Sequence, residues 1–254
     1  MLNKFLLILF TFLFLVSFTS AIKVVSPVEA EFTGNTIELG KISPGQSFEL
    51  IIFDERFTDL EVKGQFSEWS EESVFEGKNI SIKLNVPLDA SLGTKKISFN
   101  AFNSVSGLTE SFDVLIKVEK DLWSVNISDL DKEAKVNSQA EYFLTFSNES
   151  IGEQKISLSS DLPSFWFKEQ SFTVKPKSIL KESVFVNPKY YGRREFNFLF
   201  KSSFSGEEKK FNSKLSVESS LLSKYSAPLY GFPFFTLNLF PYFLVESFVG
   251  FFLE

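Results

Sequence analysis

The side chains best suited to chemistry in this chain are carboxylates. Asp129, Asp131 and Glu133 stand at alternate positions. Hard cations such as Ca²⁺ take several oxygen ligands, so these three are a weak Ca²⁺ candidate. An EF-type loop beginning at Asp129 needs Gly at its sixth position and a bidentate Glu at its twelfth. Ala134 and Ala140 hold those places, and a solvated acidic linker is the plainer account. Glu68, Glu71 and Glu72 form a second acidic group. Two carboxylates across a cleft can hydrolyse a glycosidic bond, but here a surface loop explains them more simply. The chain has no His and no Cys, which removes the commonest general base and every thiolate chemistry. It has no Gly-rich phosphate loop. The expectation is a protein that is not an enzyme and carries no cofactor beyond that weak Ca²⁺ site.

Three aromatic residues are candidates for exposed contacts. Trp69 sits among Ser and Glu, and Tyr190 and Tyr191 fall in a hairpin turn. Such residues beside carboxylates suit a glycan or peptide. The other strand aromatics, with Trp123 and Trp166, read as core. Asn79, Asn126 and Asn148 each begin an Asn-x-Ser triplet and are glycosylation candidates.

These residues must be carried on β-strands. Ile80, Ile82, Leu84 and Val86 alternate with Ser81, Lys83 and Asn85, and the same period of two runs through 97–101 and 112–118. The pattern then recurs. Gly93, Ile97, Phe99, Gly107, Phe112, Ile116 and Val118 are matched 99 residues later by Gly192, Phe196, Phe198, Gly206, Phe211, Leu215 and Val217. A constant offset without a gap points to one module used twice. Short strands in units of about 100 residues predict an all-β chain of two tandem immunoglobulin-like sandwiches. Without cysteines, their cores depend on packing alone.

A family resemblance rests on the second module. It runs from Val136-Asn-Ser-Gln through Phe146-Ser-Asn148, then Leu162-Pro-Ser-Phe-Trp166, then Asn187-Pro188 and Gly192. This resembles the Ig-like modules of archaeal and bacterial surface proteins, of the α-galactosidase-associated and S-layer types. The likeness departs at Phe165, where Gly is usual, and at Lys177-Ser178, where Pro-Gly is usual. It implies the fold and an exported location, and transfers no active site.

The two ends of the chain have a different character. A short positive start, an apolar run over 5–18 and the small residues Thr19, Ser20 and Ala21 match a secretory signal peptide. Residues 225–245 are uncharged and apolar, long enough to span a bilayer, though Pro228, Pro233 and Pro241 interrupt a helix. The alternatives are a segment that docks on the sandwich or on a partner and a longer gene product cut short.

The expected organisation is a signal peptide at 1–21, an Ig-like domain at 22–120, another at 121–220, and an apolar segment at 221–254 that anchors to a membrane. The formal charge of −6 argues against nucleic acid as a partner. Together these features predict an exported cell-surface protein with a structural or adhesive role, contacting an envelope protein or glycan. An accessory glycan-binding region and a membrane-embedded assembly partner are the alternatives.

Overall fold

The computed structural model describes residues 22–29 and 35–219, together with Val245. The expected signal peptide and the apolar C-terminal segment lie outside the described residues, apart from that one position. No helix among the described residues is long and apolar enough to cross a membrane. The chain divides into two compact units.

The first unit comprises the chain to Leu122 together with Glu149–Gln154 and Lys175–Lys177. Its strands are β1 (Lys23–Ser26), β2 (Thr36–Ile42), β3 (Ser47–Phe53), β4 (Asp59–Lys63), β5 (Val74–Glu76), β6 (Asn79–Asn85), β7 (Gly93–Phe102) and β8 (Thr109–Val118). They form two four-stranded sheets ordered β1-β3-β6-β5 and β2-β8-β7-β4. With strands lettered in chain order after an initial split strand, this is the ABED and CFG arrangement of an immunoglobulin-type sandwich. The expected alternation is present: Ile80, Ile82 and Leu84 of β6 are buried while Asn79, Lys83 and Asn85 are exposed. The core is mostly aliphatic, and Phe99 stacks on Phe112 with centroids 5.3 Å apart.

Ile151 also lies in this first core, fully buried. Its segment is held by a buried polar cluster centred on Gln46. Gln46 Oε1 accepts from Ser43 N at 2.9 Å and from Ser150 Oγ at 2.6 Å, and Gln46 Nε2 donates to Glu153 O at 3.1 Å. Gly152 is required by this close approach, since a Cβ there would lie 2.9 Å from Ser47 O.

The second unit holds Trp123–Asn148, Lys155–Val174 and the chain from Ser178. Its strands are β9 (Trp123–Ser128), β10 (Asp131–Lys135), β11 (Ala140–Asn148), β12 (Gln154–Ser160), β13 (Gln170–Val174), β14 (Ile179–Val186), β15 (Gly192–Ser202) and β16 (Glu208–Glu218). The sheets are ordered β10-β16-β15-β12-β13 and β14-β11-β9. Strand for strand this is the first unit's order, with one exception. The fifth strand, β13, lies beside the fourth, whereas β5 lies beside the sixth.

The 99-residue repeat is the hairpin of the seventh and eighth strands, in one register. Gly93 pairs with Val118 and Phe99 with Phe112; Gly192 pairs with Val217 and Phe198 with Phe211. The turns are closed alike. Asn103 Oδ1 accepts from the amides of Val105 and Ser106, and Ser202 Oγ from those of Phe204 and Ser205. Gly107 and Gly206 take φ of 72° and 69°, a left-handed conformation that costs other residues energy. The second core is aromatic: Phe198 has Phe196, Tyr142 and Phe167 around it with centroids 5.0, 5.1 and 5.7 Å away.

Candidate functional site

The residues singled out in the sequence fall in separate places. Asp131 and Glu133 lie on the exposed face of β10. Asp129 precedes that strand in a left-handed conformation and sits 3.4 Å from Lys132 Nζ. Among the described residues no group of three such side chains is placed to hold a metal ion.

Trp69 ends a short 3-10 helix, Gly64–Trp69, and is half-buried. It meets Phe66 edge-on at 4.7 Å and packs against the first core, so much of its ring serves packing. Asn79 and Asn126 are exposed on β6 and β9. Asn148 is buried and donates Nδ2 to Val174 O at 3.2 Å; a glycan there requires that packing to be undone.

Tyr190 and Tyr191 are exposed, at 60% and 70%. Tyr190 belongs to a cleft of the second unit of about 310 Å³. Asp161, Pro163, Trp166, Arg194 and Glu195 line it as well. The turn at 163–166 brings Trp166 back under the sandwich, with its amide donating to Pro163 O at 2.8 Å and its carbonyl accepting from Asn187 N at 2.8 Å. Arg194 shares the strand face of Phe196 and Phe198, but at the start of β15, where that face leaves the core and is exposed. Tyr190 lies between the Trp166 ring, at 6.4 Å, and the exposed Phe165 ring, at 6.3 Å.

The polar groups of the cleft are unequally occupied. Asp161 accepts from the Asn197 amide and Asn197 Nδ2, both at 2.8 Å, and Glu195 sits 3.7 Å from Lys214. The Arg194 side chain makes no ion pair or hydrogen bond among the described residues, while its backbone pairs with Leu215. Trp166 is 2% exposed, and its Nε1 is the one buried side-chain polar atom among the described residues with no hydrogen-bond partner. A buried donor left unsatisfied costs roughly 1–3 kcal/mol. Trp123, equally buried, shows the usual solution: its Nε1 donates to Glu207 at 3.0 Å.

The shifted ionisable groups are all held in the forms they already take at neutral pH. Hydrogen bonds from Lys83 and Asn85 lower Glu71, those from Lys96 and Ser98 lower Asp113, and those from Lys117 and Lys41 lower Glu119. Lys41 is raised by its hydrogen bond to Glu119, and Arg56 by its hydrogen bonds to Asp54. Burial raises Tyr142. A general acid or base works best with a pKa near the operating pH, and every one of these shifts leads away from it.

The sequence marks Trp166 as a core residue and gives no local sign of Arg194 as a site residue. Burial of an aromatic after a Pro turn is legible; an unpaired indole N–H is not. The offset repeat could have drawn attention to Arg194, because it lies in the first residues of the repeated strand.

No protein-family model and no curated protein matches this chain. Several solved structures are similar to it. A chimeric titin Z1Z2 carrying a peptide from decorin is 13% identical, covering 79% of this chain and 100% of its own, with a TM-score of 0.43. The fibronectin(III)-like modules of Clostridium thermocellum CbhA are 12% identical, covering 78% and 94%, with a TM-score of 0.29. The D00–D0 domain of intimin is 10% identical, covering 76% and 98%, with a TM-score of 0.28. At these scores the likenesses identify no family. Strand order itself defines the class: the chain is nearly all-β, and the sheets of its compact units follow an immunoglobulin-like order.

Proposed function

We propose that this is an exported, non-catalytic surface protein whose two sandwiches act as structural or adhesive modules toward an envelope component. The observation that supports it most is the disposition of the charged groups. Those with shifted pKa values are stabilised as ordinary ions by strand neighbours, and the chain has no His or Cys to supply other chemistry. The apolar run at 5–18 and the small residues before Ile22 support export; the uncharged stretch at 225–245 supports attachment to a membrane. The test is expression of the full chain with sequencing of the mature N-terminus and protease treatment of intact cells. A start near Ile22 and external digestion are expected. A chain that keeps Met1 and resists protease until lysis would sink the proposal.

A second reading, contact with a saccharide, is favoured by one specific arrangement. Tyr190 and Phe165 present exposed rings beside the Trp166 cleft, and aromatic rings with polar tips suit ligands that are apolar on one face and polar at the edge.

A further inference from the structure

We propose that the Trp166–Tyr190–Arg194 cleft binds a saccharide that carries a carboxylate, of the uronate type. The inference deepens the saccharide reading above and rests on it.

The chemistry follows from which groups are free. Asp161 already accepts two hydrogen bonds from Asn197, and the Glu195 charge is partly countered by Lys214 at 3.7 Å. Of the groups left without a partner, the Trp166 indole N–H and the Arg194 guanidinium are donors only, and the Tyr190 hydroxyl can donate or accept. A matching ligand therefore brings acceptors. The guanidinium fork fits a planar carboxylate through two parallel hydrogen bonds, which a neutral hydroxyl cannot reproduce. The exposed Tyr190 and Phe165 rings provide flat apolar faces for the C–H side of a sugar ring. A small inorganic anion would use Arg194 and leave those faces bare. At about 310 Å³ the cleft lies at the low end of ligand pockets, roughly 300–1,000 Å³, which suits one or two sugar units of a longer chain. The Trp166 Nε1 is covered, so a sugar oxygen reaches it through a shift of a neighbouring side chain; the hydroxyl of nearby Tyr190 is restrained by no hydrogen bond among the described residues.

The test is titration of the full chain with tetragalacturonate by calorimetry and tryptophan fluorescence. The same oligosaccharide as its methyl ester, sodium acetate and inorganic phosphate serve as comparisons. Saturable binding of tetragalacturonate is expected, at least ten-fold tighter than the ester. Arg194→Gln should lose at least ten-fold with an unchanged thermal transition. Trp166→Phe, which keeps a ring and removes the donor, should lose several-fold while keeping the preference for acid over ester. The proposal is overturned by no saturable binding, by equal binding of acid and ester, by wild-type affinity in Arg194→Gln, or by acetate or phosphate binding as well as the oligosaccharide. Equal binding of acid and ester would leave saccharide contact standing and remove only the carboxylate. Export is decided separately by the protease assay.

Discussion

The two sandwiches share a strand order and differ in where the fifth strand goes. β5 is three residues long, all exposed, with Val74 at 52% and Phe75 at 46%. It has no side chain in the core and is held beside β6 by backbone pairing alone. β13 is five residues long and turns Phe172 and Val174 inward, with Phe172 4.9 Å from Phe146. Its inward pair fixes it to the sheet of β12. The preceding connections differ in the same sense. In the first unit a 3-10 helix lays Trp69 half-buried on the core, and in the second a Pro163 turn buries Trp166. A strand with apolar residues on one face goes where that face is covered, and a strand without them remains a removable edge. The cleft lies in the unit whose fifth strand has moved.

Core composition gives the sharpest way to break the comparison. Phe99 and Phe198 hold the same register position, both fully buried. Phe to Ala in a core costs roughly 3–5 kcal/mol. Phe198→Ala should fall at the upper end, because its ring touches three aromatic neighbours, and Phe99→Ala at the lower end, with the single stacked Phe112. Urea unfolding followed by tryptophan fluorescence separates the units, since Trp69 lies in the first and Trp123 and Trp166 in the second. Equal losses in both would show that the aromatic cluster adds nothing beyond buried area.

A second contrast is a charge pair in the first unit with a buried carboxylate. Asp54 is 3% exposed and is held by Arg56, whose Nε lies 3.0 Å from Oδ1 and whose terminal nitrogen lies 2.6 Å from Oδ2. Removing one partner of a buried pair costs about 3–5 kcal/mol, because the other charge is left uncompensated. Arg56 is itself partly exposed, so Arg56→Met should fall at or below the low end of that range, and Asp54→Asn in the same chain should restore much of it. A double-mutant cycle measured by thermal unfolding checks this; additive losses would mean the pair is not coupled.

Ile151 offers a smaller test with an unusual address. It lies between β11 and β12 in sequence but belongs to the first unit's core. Ile151→Val should cost roughly 0.5–1.5 kcal/mol, seen in the transition reported by Trp69. A change confined to the Trp123 and Trp166 signal would contradict its placement.

What the sequence revealed follows the range of the interactions. Alternation disclosed β6, β7 and β15, because burial on one face of a strand is a local pattern of period two. The repeat disclosed the hairpin register through Gly93, Gly107 and their matches. The position of the fifth strand was not legible, since Val74, Phe75 and Phe172 look alike as letters and differ only in what covers them. Neither was the Gln46 cluster, whose partners Ser150 and Glu153 lie more than a hundred residues away. The aromatic contacts were half legible. Tyr190 and Tyr191 are exposed, while Trp69 amid Ser and Glu packs on a core that its neighbours give no sign of. Of the cleft, only Tyr190 stood out, because an unpaired Trp166 Nε1 or Arg194 is defined by what is not nearby.

The smallest expected effect concerns acid. In the first unit Asp113 pairs with Lys96 at 2.8 Å and accepts from Ser98 Oγ at 2.7 Å, and these hydrogen bonds hold its carboxyl below its ordinary value of 3.8. The matching position of the second unit is Asn212, whose Nδ2 lies 3.4 Å from Asn197 and which does not ionise. A carboxylate whose pKa is depressed by folding binds fewer protons in the native than in the unfolded chain. Its contribution is therefore complete above the unfolded pKa, near pH 4, and disappears as pH falls through the lower native value. With Lys96 largely exposed, the pair is worth only about 0.2–1 kcal/mol. Asp113→Asn should accordingly leave the first unit slightly less stable at pH 7 and no different at pH 2, bringing its acid profile closer to that of the second. Thermal melts across that pH window measure the difference. A loss that persists undiminished at pH 2 would assign Asp113 a packing role in place of a charged one.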